Sequence, residues 1–184
     1  MIAPPLTLEQ LQDKIQRNKR FKRLIESFQS NRLYQIPLDK MKDEIMTLHQ
    51  TREVRTLYKF RNDNTTSMVD GMIMANLQDQ SHRSRLAEIH LQCVRASSAL
   101  TDSIKLFKDY AIVHYSVQLR GIKTKGERSD FIDTVLSDMY AYISDCDLVI
   151  NLTAIVIKDI DNAGWALSRL QEALKLTISP ERKI

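Results

Sequence analysis

The sequence predicts an all-α protein, and two observations carry this prediction. Its 184 residues include only four glycines and four prolines, and strand-and-turn folds normally use more of both. Apolar residues also recur every three or four positions over long stretches, which is the spacing of one face of an α-helix. Because 43% of the residues are hydrophobic, the chain is able to bury a core.

Residues 1–62 form a predicted basic helical region. Thr7, with Gln10 three residues later, has the pattern of a capping box and predicts a helix from there to about Gln29. A second helix is expected after Pro37, with Asp39 as its cap. The N-terminal third of the chain is therefore expected to consist of two helices.

A hinge is predicted at 63–67, inside the loop-like sequence RNDNTTS, and the remaining residues 68–184 form a predicted bundle of long helices. In this body we expect a short helix, a break near Ser81 and a long helix to Leu119. Apolar residues of the long helix follow steps of three and four, at Leu86, Ile89, Cys93, Ala96, Leu100, Ile104, Phe107 and Ala111.

Such a seam packs lengthwise on another helix. The other helix belongs either to a second copy of the chain, in a coiled-coil-like homo-oligomer, or to an internal hairpin. The sequence leaves both open, and the oligomer assigns Leu86, Ile89, Cys93, Leu100, Ile104 and Phe107 to the subunit interface.

Charge is distributed unevenly along the chain. Residues 1–66 hold 13 Lys and Arg against 8 Asp and Glu, whereas residues 128–184 hold 6 against 9. A basic front and an acidic back suit a polyanionic partner or head-to-tail contact between identical subunits. The candidate DNA-binding residues in the front of the chain are Arg17, Lys19, Arg20, Lys22, Arg23, Arg52, Arg55 and Lys59.

The last three of these residues permit two interpretations. A turn at 48–51 would create a helix-turn-helix whose second helix carries Arg52, Arg55 and Lys59 into a DNA major groove. Without that turn, residues 39–61 form one helix with a solvated basic face, and the pattern favours this second interpretation.

The segment RGIKTKGERSD at 120–130 resembles a phosphate-binding loop but lacks its chemistry. The position that requires lysine carries Glu127, and the position that requires serine or threonine carries Arg128. We therefore expect a turn between two helices, with Ser129 capping the second. Lys123 and Lys125 in this turn remain candidates for contact with a DNA backbone.

The sequence contains no recognisable metal-binding or catalytic motif. The four histidines lack metal-ligand spacing, and DIDNAG at 159–164 begins like a calcium loop but has Leu170 where a glutamate is needed. Cys93 and Cys146 fit buried positions of helices. We expect no enzyme activity, no cofactor and no metal.

No membrane association is expected either. The longest apolar stretch, at 148–157, has ten residues and is interrupted by Asn151 and Thr153. That is too short to cross a bilayer. No signal-peptide pattern is present, so we expect a cytoplasmic protein with reduced thiols.

The segment MVDGMIMANLQDQSHRSRLAEIHLQCVRASSALTDSIKLFKDY, at 68–110, is similar to the core of a bacteriophage small terminase subunit. It has a short helix, a break and a long helix that begins with arginines. The resemblance covers under a quarter of the chain. It implies a ring-forming, non-catalytic DNA-binding protein of the host cytoplasm that regulates a large motor subunit in DNA packaging.

Two alternatives remain open at this stage. The chain also resembles, more distantly, phage recombination mediators, which are small helical oligomers that load a recombinase on single-stranded DNA. The third alternative is a helical virion or scaffold component that binds no nucleic acid. Few aromatic residues accompany the basic segments, which limits the support for base stacking.

We predict that the protein does not bind Mg-ATP, because Glu127 would repel the phosphates where a phosphate loop places a lysine. Isothermal titration calorimetry should give no binding signal. Micromolar binding that Lys123→Ala or Lys125→Ala abolishes would contradict this prediction.

Overall fold

The computed structural model describes residues 7–53, 65–122 and 124–178. Within these ranges the chain is all-α, as predicted, and contains no strand. The α-helices are α1 (Leu8–Gln16), α2 (Lys19–Ser30), α3 (Leu38–Glu53), α4 (Thr65–His114), α5 (Lys125–Val135) and α6 (Ser137–Ile178). Short 3-10 helices add Arg32–Tyr34 and Gln118–Gly121.

The first predicted helix consists of two helices. The capping box at its start is confirmed: the Gln10 N–H donates to Thr7 Oγ1 at 3.3 Å, and the Thr7 N–H donates to Gln10 Oε1 at 3.1 Å. A single helix to Gln29 is wrong, because α1 ends at Gln16. Asn18 interrupts it by accepting the Arg20 N–H at 2.8 Å, which caps α2.

Helix α3 passes through 48–51 without a turn, so the helix-turn-helix interpretation is wrong. The Thr51 hydroxyl donates to the Thr47 carbonyl at 3.0 Å and therefore bonds within α3 instead of capping a new helix. Asp39 lies in the first turn of α3, which begins at Leu38.

Helix α4 is a single helix of 50 residues. The expected break near Ser81 is wrong, since neither proline nor glycine interrupts the helix there; the nearby Ser84 hydroxyl bonds back to the Gln80 carbonyl at 3.0 Å. Of the predicted hinge, residues 65–67 belong to α4, and residues 63 and 64 lie outside the described ranges. The helix ends at His114 and does not reach Leu119.

Helix α5 is capped at its N-terminus by Thr124. The expectation that Ser129 caps this helix is therefore wrong. The Glu127 N–H donates to Thr124 Oγ1 at 3.1 Å, and the Thr124 N–H donates to Glu127 Oε2 at 3.2 Å. This is a second capping box. The carboxylate that is incompatible with a phosphate loop thus stabilises the start of a helix.

The chain divides into two compact units, and neither is continuous in sequence. Unit 1 comprises Met1–Ile36 and Gln92–Asp147, and unit 2 comprises Pro37–Leu91 and Leu148–Ile184. The division differs from the expected boundary at 63–67, because α4 and α6 each contribute residues to both units.

Unit 1 packs α2 against its segments of α4 and α6. Phe21 of α2 is buried and lies 5.5 Å from Phe107 of α4, measured between ring centres. Three further rings form a cluster with centre distances of 5.4 to 6.3 Å, at Phe28, Tyr34 and Tyr142. Aromatic contacts thus join the N-terminal helices to both long helices within this unit.

Unit 2 is joined by ion pairs as well as by apolar packing. Arg85 of α4 donates to both oxygens of Glu44 of α3, at 2.6 and 3.0 Å. Two further pairs are Arg52–Asp79, at 2.9 Å, and Arg83–Asp161, at 2.7 Å. Its buried apolar residues are Met41, Ile45, Met72, Leu86, Ile89, Val149, Val156 and Ile160.

All eight seam positions of α4 are buried within the chain, with exposures between 0% and 5%. This burial corrects the assignment of the seam to a subunit interface, because side chains of the same chain already cover it. The internal alternative applies, and the corrected residues are Leu86, Ile89, Cys93, Leu100, Ile104 and Phe107.

Helix α6 contains a segment, Ser137–Ala173, that is long and apolar enough to cross a membrane by length and composition. By length and composition, the expectation that no apolar stretch is long enough to cross a bilayer is therefore corrected. The same helix has carboxylates at Asp145 and Asp147, which are costly in a bilayer interior. Val149 and Val156 of this helix are buried in unit 2.

The Arg52–Asp79 pair generates a prediction about stability. Both side chains are almost buried, with exposures of 11% and 10%. Arg52→Ala removes the guanidinium from a poorly hydrated carboxylate and should lower the free energy of unfolding by about 3 kcal/mol. Urea denaturation monitored by circular dichroism measures this loss.

Arg83→Ala is the matched control, because it removes the same kind of pair where both side chains are 51% exposed. The expected loss in the free energy of unfolding is clearly smaller than that of Arg52→Ala, since water screens an exposed pair. Equal losses for the two variants would contradict the assignment of Arg52 to the interior of unit 2.

Candidate nucleic-acid interface

Five cationic side chains are exposed at the junction of α1 and α2 in unit 1. They are Arg17, Lys19, Arg20, Lys22 and Arg23, and we refer to them as the basic turn. Because α1 ends at Gln16 and α2 begins at Lys19, they lie on a change of helix direction and not along one helix. A compact group of exposed cations attracts polyanions.

Asn18 holds the basic turn in place. Its carbonyl oxygen caps α2, and its Nδ2 donates to Tyr115 Oη at 2.8 Å and to Tyr110 Oη at 3.2 Å. The Tyr115 hydroxyl in turn donates to the Lys14 carbonyl at 3.4 Å. One amide group thus fixes the start of α2 to the end of α4 within unit 1.

Burial raises the pKa of Tyr115, while the hydrogen bond from Asn18 opposes the rise. The hydroxyl therefore stays protonated well above neutral pH. It remains a donor to the Lys14 carbonyl at neutral pH.

The members of the basic turn differ in their surroundings. Arg17 forms an ion pair with Asp13 at 2.9 Å, in which both side chains are exposed. Among the residues that the structure describes, Lys19, Lys22 and Arg23 have no ion-pair partner. These three charges are therefore available to an external anion.

Arg20 is held differently, by an aromatic ring. Its guanidinium carbon lies 4.0 Å from the centre of the Tyr110 ring. His114 stacks on the same ring, with centres 4.9 Å apart and planes at 19°. Tyr110 therefore contacts a cation of the basic turn and a second aromatic ring at the same time.

Tyr110 and His114 are not among the site residues that the sequence predicts. They are more than 80 residues from the basic turn in the chain, and only tertiary packing brings Tyr110 to it. The one local signal is their spacing of four residues, which places both rings on one face of α4.

The other candidate cations are placed elsewhere. Arg52 is corrected: its guanidinium is almost buried against Asp79 and is not exposed to a DNA groove. Arg55, Lys59 and Lys123 lie outside the described residues. Lys125 is exposed in unit 1, as the first residue of α5.

The two cysteines contact each other inside unit 1, and both are fully buried. A hydrogen bond with Cys146 and burial raise the pKa of the Cys93 thiol. A thiol in such surroundings is a core residue and not a nucleophile.

The acidic residues do not assemble a metal centre in the part of the chain that the structure describes. Asp161, from the sequence that begins like a calcium loop, lies within continuous α6 and pairs with Arg83. Asp161 therefore contributes to an ion pair within unit 2 and not to a calcium loop.

Comparison with known proteins gives no relative for this chain: no family model matches it, and neither a curated protein nor a solved structure matches it.

Asn18→Ala removes both the cap of α2 and the bonds to the two tyrosines. We predict that the free energy of unfolding falls by about 2 kcal/mol, since the cap and the hydrogen bonds of the half-buried amide contribute about 1 kcal/mol each. Thr7→Ala is the control, because Thr7 caps α1 through hydrogen bonds with Gln10, three residues away. It should cost about 1 kcal/mol, and urea denaturation compares the two. An equal loss would show that the tyrosine contacts add nothing.

Proposed function

We propose that this chain is a non-catalytic nucleic-acid-binding protein whose basic turn contacts the phosphate backbone. The observation that carries the proposal is the exposed group of Lys19, Lys22 and Arg23 at the capped start of α2, which has no carboxylate partner among the described residues. Arg17 and Arg20 add two further exposed cations, each ordered by a neighbour.

Preorganisation is the physical reason to prefer this proposal over a plain solvated surface. An exposed lysine that must be ordered on binding loses conformational entropy. Here the helix that carries the cations is already capped by Asn18 and anchored through buried Phe21. Binding therefore costs less backbone ordering than it would for a disordered basic tail.

The small-terminase role is the more specific form of this proposal, and it includes DNA packaging, a ring of subunits and a large motor subunit as partner. Two features that suggested this role are absent from the structure. Helix α4 has no break near Ser81, and its apolar seam is already buried within the chain. If the protein associates with itself, it must use surfaces other than the buried seam of α4. Unit 2 offers large exposed apolar side chains for such self-association, at Met74, Leu77, Leu91, Ile155 and Trp165.

The basic turn can be tested by its effect on salt dependence. Replacing Lys19, Lys22 and Arg23 by alanine removes three phosphate contacts, so fewer counterions are released on binding. The slope of log affinity against log salt should become flatter by about 2 to 3, at about 0.7 to 0.9 per contact. Fluorescence anisotropy with labelled DNA over a range of salt concentrations measures both affinity and slope.

A matched variant removes the same charge from three other exposed lysines, at Lys40, Lys105 and Lys158. Its slope should remain that of the wild-type protein if contact, and not net charge, determines binding. A wild-type protein that binds neither duplex nor single-stranded DNA at about 50 mM salt, where phosphate contacts are strong, would leave the virion-structural alternative.

A further inference from the structure

We infer that the ligand of the basic turn is single-stranded nucleic acid, with an unpaired base stacked on His114 and phosphates held by the neighbouring cations. This inference rests on the proposed nucleic-acid binding and specifies its ligand. It starts from the stack of Arg20, Tyr110 and His114 in unit 1.

His114 is the open end of this stack. The Tyr110 ring contacts the Arg20 guanidinium, 4.0 Å from the ring centre, and stacks with His114, at 4.9 Å between ring centres. The edge-on contact of His114 with Tyr115, at 4.8 Å between ring centres, adds a second support. The side chain of His114 is nevertheless exposed, whereas Tyr115 is buried. An incoming planar group is therefore expected to extend the stack at His114.

The phosphate contacts lie close to this stack. Arg23 is three residues after Arg20 in α2, so their side chains are neighbours on one helix face, and Lys19 directly precedes Arg20. A strand whose base rests on His114 can therefore place adjacent phosphates near the cations of the basic turn. Aromatic stacking beside a cationic track is the usual arrangement for binding single strands.

A duplex does not fit this arrangement equally well. Its bases are stacked on one another and offer only their edges in the grooves. A ring that presents a face is useful to an unpaired base. Arg52, which the sequence assigned to a groove-reading helix, is almost buried against Asp79 and does not compensate.

The test compares three labelled DNA ligands of equal length: a single strand, a strand of abasic sites and a duplex. The abasic strand keeps the phosphates and removes the bases. Wild-type protein should bind the single strand about tenfold more tightly than the abasic strand, which is the size of one stacked base. It should also prefer the single strand over the duplex.

His114→Ala should lose the preference for bases while its affinity for the abasic strand is unchanged. His114→Trp should restore the preference, and in a Trp165→Phe background its fluorescence should fall when the single strand binds. Val113→Ala, at an exposed position next to the stack, controls for a general effect on the end of α4. Trp165→Ala controls for another exposed aromatic residue, which stacks with Arg169 at 3.6 Å.

Failure of this inference is distinguishable from failure of the proposed function. If the wild-type protein prefers the duplex, or if His114→Ala retains the preference for bases, the single-strand inference is overturned. Loss of affinity in the Lys19, Lys22 and Arg23 variant would still support binding through the basic turn. If the wild-type protein binds none of the three ligands, both proposals are wrong.

Discussion

Burial of the apolar stripe of α4 is the constraint on which the rest of the structure depends. Its positions from Leu86 to Ala111 are covered by the chain itself, and α4 contributes to the core of each unit. A helix of 50 residues is stable in water because such burial offsets the entropy of ordering it. The N-terminal helices consequently pack against α4 within unit 1, as the contact between Phe21 and Phe107 shows.

Asn18 turns a run of basic residues into a surface of defined geometry. The five cations would lie around the circumference of one helix if α1 and α2 were continuous. The cap at Asn18 ends that helix, and its amide bonds to Tyr110 and Tyr115 determine where the next one starts. A single polar side chain thus couples helix capping, tertiary packing and the exposure of charge.

The two units use their arginines differently, and partner geometry explains the difference. In unit 2, Arg52, Arg83 and Arg85 each face a carboxylate from another helix at 2.6 to 2.9 Å. Their charge is therefore compensated inside the unit. In unit 1, the described carboxylate that pairs with the basic turn is Asp13, which bonds to Arg17. The positive potential around Lys19, Lys22 and Arg23 follows from this shortage of nearby carboxylates and not from the number of cations.

The sequence by itself determined the helical class, the capping box at Thr7 and the apolar positions of α4, because caps and periodicity act over three or four residues. It also located the cluster of cations from Arg17 to Arg23, since exposure follows from charge. Only the tertiary structure decided that the seam is internal, that Arg52 is paired and that Tyr110 and His114 lie with the basic turn. Each of these depends on which distant side chains meet, because burial and ion pairing are properties of packed surfaces that local spacing does not encode.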